Sequence, residues 1–262
     1  MNHSQIPTAL TIAGSDPSGG AGVQADLKVF NALNVYGTAA LTCLTAGNTT
    51  GVQAVEFIKP HFVKHQIECV LEDIPPRAVK TGMLGNSGIM RVTAAKLASL
   101  NIPVIIDPVM KTKRGDVLFA DEGIKVFIEE ILPLAHIITP NIPEANLLSG
   151  ISIKRESDMK AAARKIYEMG SGVVLIKAGY FDDWPHSNDL YFDGKKFTWI
   201  KAERIQTTES HGAGDVFSAA ITAYTARKLP LLEAVQQAKK LVSKALLSAP
   251  GLGKGDGPLN LM

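Results

Sequence analysis

The stretch HGAGD, residues 211–215, sets two glycines around one small residue, directly ahead of an acid and the small, apolar run VFSAA. If that run is a helix, the main-chain amides of Gly212, Ala213 and Gly214 form a concavity at its start, aimed by the helix dipole at anionic oxygens. Such a nest stabilises a phosphoryl group in transfer, and Asp215 beside it is placed to accept the proton of an attacking alcohol. The ordinary alternative is an acid that only stabilises the first turn of a helix. On this stretch alone the two readings are level.

Other stretches bear on the choice. In TPNIPEA, Asn141 and Glu144 make an N-x-x-E pair, which reads either as a helix cap or as an amide and a carboxylate that orient magnesium waters around nucleotide phosphates. Asp107 ends the apolar run IIDPVM and could face the same phosphates through metal or water; Lys177 ends VVLIKAG and could neutralise charge at a nucleotide. The early loop GSDPSGGAG has Walker-like glycine spacing, but Gly20 and Ala21 stand where a phosphate lysine and a metal-binding hydroxyl belong. GAGVQA matches a relaxed dinucleotide fingerprint without the acid that would hold a ribose, which disfavours a dehydrogenase.

The elements that must position these residues show in the alternation of short β-rich runs with helical patterns: ALTIAG then GVQADLKVFNALN, RAVKTG then SGIMRVTAAKLASL, PVIIDPV then EGIKVFIEEIL, HIITP then EANLLSG. That is a parallel sheet covered on both faces, which places ligands at the carboxyl ends of its strands. After GVVLIKAG, the runs NDLYFDG and KFTWIKAE read as a hairpin turning at Asp193 and Gly194, followed by two long helices. With 262 residues, 46% of them hydrophobic, and a net charge of +2, residues 1–262 fit one α/β domain. Interspersed charges suggest neither a nucleic-acid nor a membrane partner, and the start of the chain has no signal-peptide pattern, so a cytoplasmic location is expected. Cys43 and Cys69 match no metal spacing and read as buried thiols.

Taken in order, ALTIAGSDPSGGAGVQADLKVF, VKTGMLG, VIIDPVM, ITPNIPEA and HGAGDVFSAA resemble the hydroxymethylpyrimidine and phosphomethylpyrimidine kinases of thiamine biosynthesis, a family of the ribokinase superfamily close to the pyridoxal kinases. The resemblance covers most of the chain. It implies a three-layer, ribokinase-like α/β fold with a mostly parallel central sheet and helices on both faces, use of ATP and Mg²⁺, and a homodimer. The implied reaction is transfer of a phosphoryl group to the hydroxymethyl of 4-amino-5-hydroxymethyl-2-methylpyrimidine, with its monophosphate as a further acceptor; pyridoxal or pyridoxine is the alternative substrate. A ligand-binding protein that keeps the fold without turnover is the reading from another class, and the N-x-x-E pair, the nest and Asp215 weigh against it.

By the same resemblance, Gly14 and Asp26 are acceptor-site residues with Met83 and Val109 as apolar walls, Asn141 and Glu144 are the magnesium-associated pair, Lys177 is a nucleotide-site lysine, and Gly212 to Gly214 are the anion hole. MKTKRGD, residues 110–116, resembles the segment that folds over the phosphates. Two positions depart from the family pattern: Gly47 replaces a glutamine that bonds the aminopyrimidine, which enlarges the expected pocket, and Asp215 replaces a cysteine. A carboxylate is ionised at neutral pH where a thiol is mostly protonated, which makes it the better base. It also opposes a phosphorylated acceptor, since a like-charge pair at about 4 Å costs roughly 4 kcal/mol near a protein surface, so a neutral alcohol is the expected preference.

Overall fold

The computed structural model describes residues 6–110, 121–179 and 186–261. Residues 111–116 of the stretch expected to fold over the phosphates, the four residues after it, and Tyr180 with the five residues that follow it lie outside them. The chain opens with β1 (Thr8–Ser15), α1 (Gly22–Ala32), β2 (Tyr36–Asn48), β3 (Gly51–Phe57) and α2 (Pro60–Asp73). Next come β4 (Ala78–Thr81), α3 (Ser87–Leu97), β5 (Val104–Ile106), α4 (Asp121–Val126), β6 (Ile137–Ile138), α5 (Ile142–Ser149) and α6 (Glu156–Glu168). The remainder is β7 (Val174–Ile176), β8 (Asp189–Phe192), β9 (Phe197–Ile200), α7 (Ala213–Ala226) and α8 (Leu231–Leu247).

All nine strands form one sheet in the order β3-β2-β1-β4-β5-β6-β7-β8-β9. Pairing is parallel from β2 across to β7 and antiparallel at both margins. The expected hairpin is present as β8–β9, with Gly194 at φ 85°. A second hairpin, β2–β3, was not among the expected elements, and α6 was not either.

Side chains alternate across the sheet, which divides the core in two. Leu10, Ile12, Val79, Val104, Ile106, Ile138, Val174 and Ile176 pack under α2, α3, α5 and α6. Ala9, Ala78, Ile105, Ile137 and Leu175 pack under α1, α7 and α8. Thr11, Lys80, Asp107, Thr139 and Lys177 share the parity of this second set, so the period of two delivers every one of them to the α1/α7 side. α7 is buried nearly all round, from Val216 to Ala223, because it is clasped between the sheet, α1 and α8. Its alanines let the helix lie close to the strands.

One expectation is corrected by the helix periodicity of α2. Cys43 is buried, as expected, but Cys69 falls on the outer face of that helix and is exposed.

Candidate active site

Two polar clusters sit side by side under the start of α7. In the first, Lys80 of β4 donates to Asp26 of α1 at 2.6 Å and to Asp215 of α7 at 2.9 Å, while Thr11 of β1 donates to the other Asp26 oxygen at 2.6 Å. Lys80 and Asp26 have no exposed surface, whereas 19% of the Asp215 side chain is exposed. Among the described residues, Oδ2 of Asp215 takes no hydrogen bond. One oxygen of Asp215 is therefore anchored by Lys80, and the other is left without a protein donor on a side chain that keeps some exposed surface.

The electrostatics follow from this burial. Desolvation pushes the Asp26 carboxyl up to about 7, with the neighbouring Asp215 adding to it and Lys80 and Thr11 opposing. Burial alone would strip the proton from Lys80, but the carboxylates of Asp215, Asp26 and Asp107 outweigh it and hold the ammonium well above the usual lysine range. The buried ammonium lies between two carboxylates, so Lys80 offsets only part of the negative field that Asp215 would present to a phosphorylated alcohol.

In the second cluster, Asp107 after β5 accepts from Lys177 at 2.8 Å, from Thr139 at 3.1 Å and from Ser218 of α7 at 3.1 Å. Burial would raise the Asp107 carboxyl, but Lys177 and Lys80 outweigh it and lower it; Lys177 is itself raised, chiefly by Asp107 and Glu144 against burial. The Lys177 amide donates to the Pro140 carbonyl at 2.8 Å, which lays Lys177 beside Asn141. Gly214 is small for a reason: a Cβ there would stand 3.2 Å from Lys177 Nζ and 3.7 Å from Asp107 Oδ2.

Asn141 and Glu144 form a complete capping box on α5, with each main-chain amide donating to the other side chain at 2.9 Å. The helix-cap reading of this pair is thus present in full. Glu144 is nonetheless 4% exposed, its carboxyl is pushed up to about 7 by burial against the pull of Lys177, and the Met110 amide also donates to it. It is buried beside the Asp107–Lys177 pair.

The nest is narrower than the sequence suggests. Gly212 caps α7 in the left-handed region at φ 76°, but the Ala213 amide turns back to the Ser210 carbonyl at 3.2 Å. The amides of Gly214 and Asp215, in the first turn, lack intrahelical acceptors by helix geometry and point out of the helix end. The first glycine loop closes the other side: Asp16 accepts from Ser18 Oγ at 2.7 Å and the Ala21 amide at 3.0 Å, and lies 2.8 Å from His211 Nε2. Half-burial would raise the Asp16 carboxyl, but His211 and Ser18 outweigh it and hold it far below the usual range.

The acceptor-side residues separate. Gly14 and Met83 meet across Cys43: a Cβ on Gly14 would stand 2.6 Å from Cys43 Sγ and 3.9 Å from Met83 Sδ. Gly82, next to Met83, would place a Cβ 3.9 Å from Asp215 Oδ1, so this corner opens toward the base candidate. Val109 is half-buried just past Asp107. Asp26 has no surface to offer a ring, since both its oxygens are taken. Gly47 sits at a bulge in the β2–β3 hairpin, where a Cβ would come within 2.9 Å of the Gly51 carbonyl and 3.1 Å of Val52 Cα. The bare position there is accounted for by the hairpin's own backbone.

From sequence, Lys80 counts only as part of the strand-end stretch Lys80 to Met83, with no role of its own. The signal was available: a lysine inside the apolar strand AVKT, at the parity of Ala78 rather than Val79, must lie on the α7 face.

A family model described as phosphomethylpyrimidine kinase matches residues 16–260. The hydroxymethylpyrimidine/phosphomethylpyrimidine kinase of Synechococcus elongatus is 48% identical over 255 residues, covering 97% of each chain. Among solved structures, the pyridoxal kinase from Staphylococcus aureus in complex with ADP superposes with a TM-score of 0.92 at 37% identity, covering 98% of this chain and 94% of its own. A phosphomethylpyrimidine kinase from Clostridium difficile gives a TM-score of 0.81 at 41% identity, covering 91% and 99%.

Proposed function

Because this chain belongs to the phosphomethylpyrimidine kinase family, we propose that it transfers the γ-phosphoryl group of ATP to the hydroxymethyl oxygen of 4-amino-5-hydroxymethyl-2-methylpyrimidine and then phosphorylates the resulting monophosphate. The chain is a kinase; the substrate assignment rests on the names its relatives carry. The observation that carries the mechanism is Asp215, held by Lys80 at 2.9 Å through one oxygen while the other takes no hydrogen bond among the described residues.

In this reading the alcohol lies in the corner of Gly14 and Met83 and gives its proton to Asp215 as its oxygen attacks the phosphorus. Lys80 keeps the carboxylate in place and Asp26, wholly buried, keeps Lys80 in place, which makes Asp26 a positioning residue rather than a ring contact. Amides at the start of α7 and the Lys177 ammonium take up charge on the transferring phosphoryl group. Magnesium fits the donor set around Asp107 and Glu144: both carboxylates already have protein donors, and among the described residues no cluster of three His, Cys, Asp or Glu is arranged to cage a bare ion. That suits an ion that keeps its waters and draws its remaining ligands from phosphates, with Asp107, Asn141 and Glu144 orienting those waters. Bound there, magnesium would supply charge neutralisation on the phosphate oxygens.

A panel of three acceptors, the hydroxymethylpyrimidine, its monophosphate and pyridoxal, assayed by coupled ADP release, tests the assignment. Both pyrimidines should turn over, with the highest kcat/KM on a pyrimidine. A higher kcat/KM on pyridoxal than on either pyrimidine would overturn it.

Within the same reading the protein is a cytoplasmic homodimer that joins through the β2–β3 margin. No helix among the described residues is long and apolar enough to cross a membrane. β3 is an edge strand, and Tyr36, Leu44, Val52 and Phe57 leave 40 to 56% of their surface exposed on this hairpin; such an apolar edge calls for a cover. Sedimentation should give a dimer mass that Val52→Asp shifts toward the monomer; a monomeric parent protein would remove the dimer.

A further inference from the structure

Three separate parts of the chain meet behind the nest. Residues 253–258 lie against the tip of the β2–β3 hairpin, where Thr49 Oγ1 accepts from the amides of Lys254 at 3.1 Å and Gly255 at 3.2 Å, and the Thr49 carbonyl accepts from Asp256 at 2.9 Å. A Cβ at Gly253 or Gly255 would overlap Thr49, so the close approach requires glycine. The very next residue holds a different loop: the Gly257 carbonyl accepts from the His211 amide at 3.0 Å, and His211 bridges to Pro258 as a short parallel pair.

His211 is gripped from its other side by the first glycine loop. Its Nε2 lies 2.8 Å from Asp16 Oδ2, and Gly20 leaves room for it, since a Cβ there would stand 2.8 Å from His211 Cδ2 and 2.9 Å from Pro258 Cβ. Immediately after His211 comes Gly212, whose left-handed backbone packs against the main chain of Gly20 and sets the direction of the amides that follow. The side chain of His211 is thus placed to fix the entry to α7 without itself being part of the nest.

We propose that residues 253–258 act as a strap that positions the anion nest, with His211 as the positioning residue and Thr49 as the anchor of the strap. This rests on the phosphoryl-transfer reading above. Neither residue touches phosphate or acceptor in that reading, so their effect falls on the rate of transfer rather than on the binding of either substrate. A displacement of about 1 Å in a group that stabilises a transition state can cost on the order of 100-fold in rate.

The test uses the full chain. Thr49→Val keeps the shape of the anchor and removes the oxygen that accepts two amides; His211→Leu keeps bulk and removes the ring nitrogen; His211→Gln returns a side-chain N–H. In both Thr49→Val and His211→Leu, kcat should fall about 10-fold or more, while KM for the alcohol and calorimetric affinity for ADP stay within about twofold. His211→Gln should recover most of the loss, and the Thr49→Val/His211→Leu double variant should be no slower than the worse single variant, as expected for two residues on one path. Unchanged kcat with a lowered melting temperature, or losses that multiply in the double variant, would overturn the strap while wild-type turnover leaves the kinase reading standing. A wild-type chain that binds ADP but phosphorylates no alcohol would overturn both.

Discussion

Asp215→Asn should lose between about 100-fold and 10,000-fold in kcat, the range that general-base catalysis contributes, while ADP affinity stays within about threefold. The substitution is nearly isosteric, and the asparagine carbonyl oxygen can still accept the Lys80 hydrogen bond that now spans 2.9 Å. Folding and nucleotide binding should therefore be preserved, and what is lost is the carboxylate's capacity to take a proton. Single-turnover kinetics with saturating ATP isolates the chemical step. A variant within about tenfold of wild type would return Asp215 to the part of a first-turn helix acid, and the proton would have to leave by another route.

Lys80→Met should damage both stability and turnover. Removing one partner of a buried ion pair costs about 3 to 5 kcal/mol because it strands the remaining charge, and here two carboxylates, Asp26 and Asp215, lose the same cation. For a chain of this size that is on the order of 10 °C in melting temperature. The double variant Asp26→Asn/Lys80→Met separates the two effects. It removes the wholly buried carboxylate together with its cation, so much of the stability should return; turnover should not, because Asp215 still lacks the group that holds it. Recovery of kcat along with the melting temperature would show that Lys80 serves the fold alone.

The fold was legible because each strand–helix unit carries its own local pattern. Apolar runs of three to six residues ending in Gly14, Asp107 or Thr139, each followed by a helical stretch, specify a parallel sheet and point to its carboxyl edge. The hairpin at Asp193 and Gly194 was legible from its turn residues. β2 was not, because YGTAALTCLTAGN is rich in Ala, Thr and Gly and has neither a clean alternation nor a continuous apolar run. The β2–β3 tip and its tie to residues 253–258 depend on contacts between positions some 200 residues apart, which no local pattern encodes.

At the site, glycines and an acid beside one another point from sequence to the proposed nest and base. Lys80 reads from sequence as one of several strand-end residues without a role, because its part depends on which face of a strand it occupies, and a lysine in a four-residue strand looks like a strand end. Asp26 was read as an acceptor contact because sequence reports a carboxylate and not its depth; burial and the Lys80 and Thr11 hydrogen bonds give it a different part. The N-x-x-E pair shows that two readings can hold at once, since a capping box fixes the orientation of Glu144 whether or not magnesium waters lie beyond it.

In the proposed reaction, the base and the phosphate-facing amides belong to consecutive residues, Gly214 and Asp215, in one turn of a helix that also reaches Asp107 through Ser218. Adjacent helical residues are separated by about 1.5 Å along the axis, and that spacing is maintained by the most deeply buried helix of the molecule. α7 therefore serves as a ruler. The span between the proton's proposed destination and the proposed cradle of the phosphoryl group is thus set within α7 and not by the loops or the hairpin around it. Selection for a different acceptor can remodel the corner of Gly14 and Met83 while leaving that span untouched.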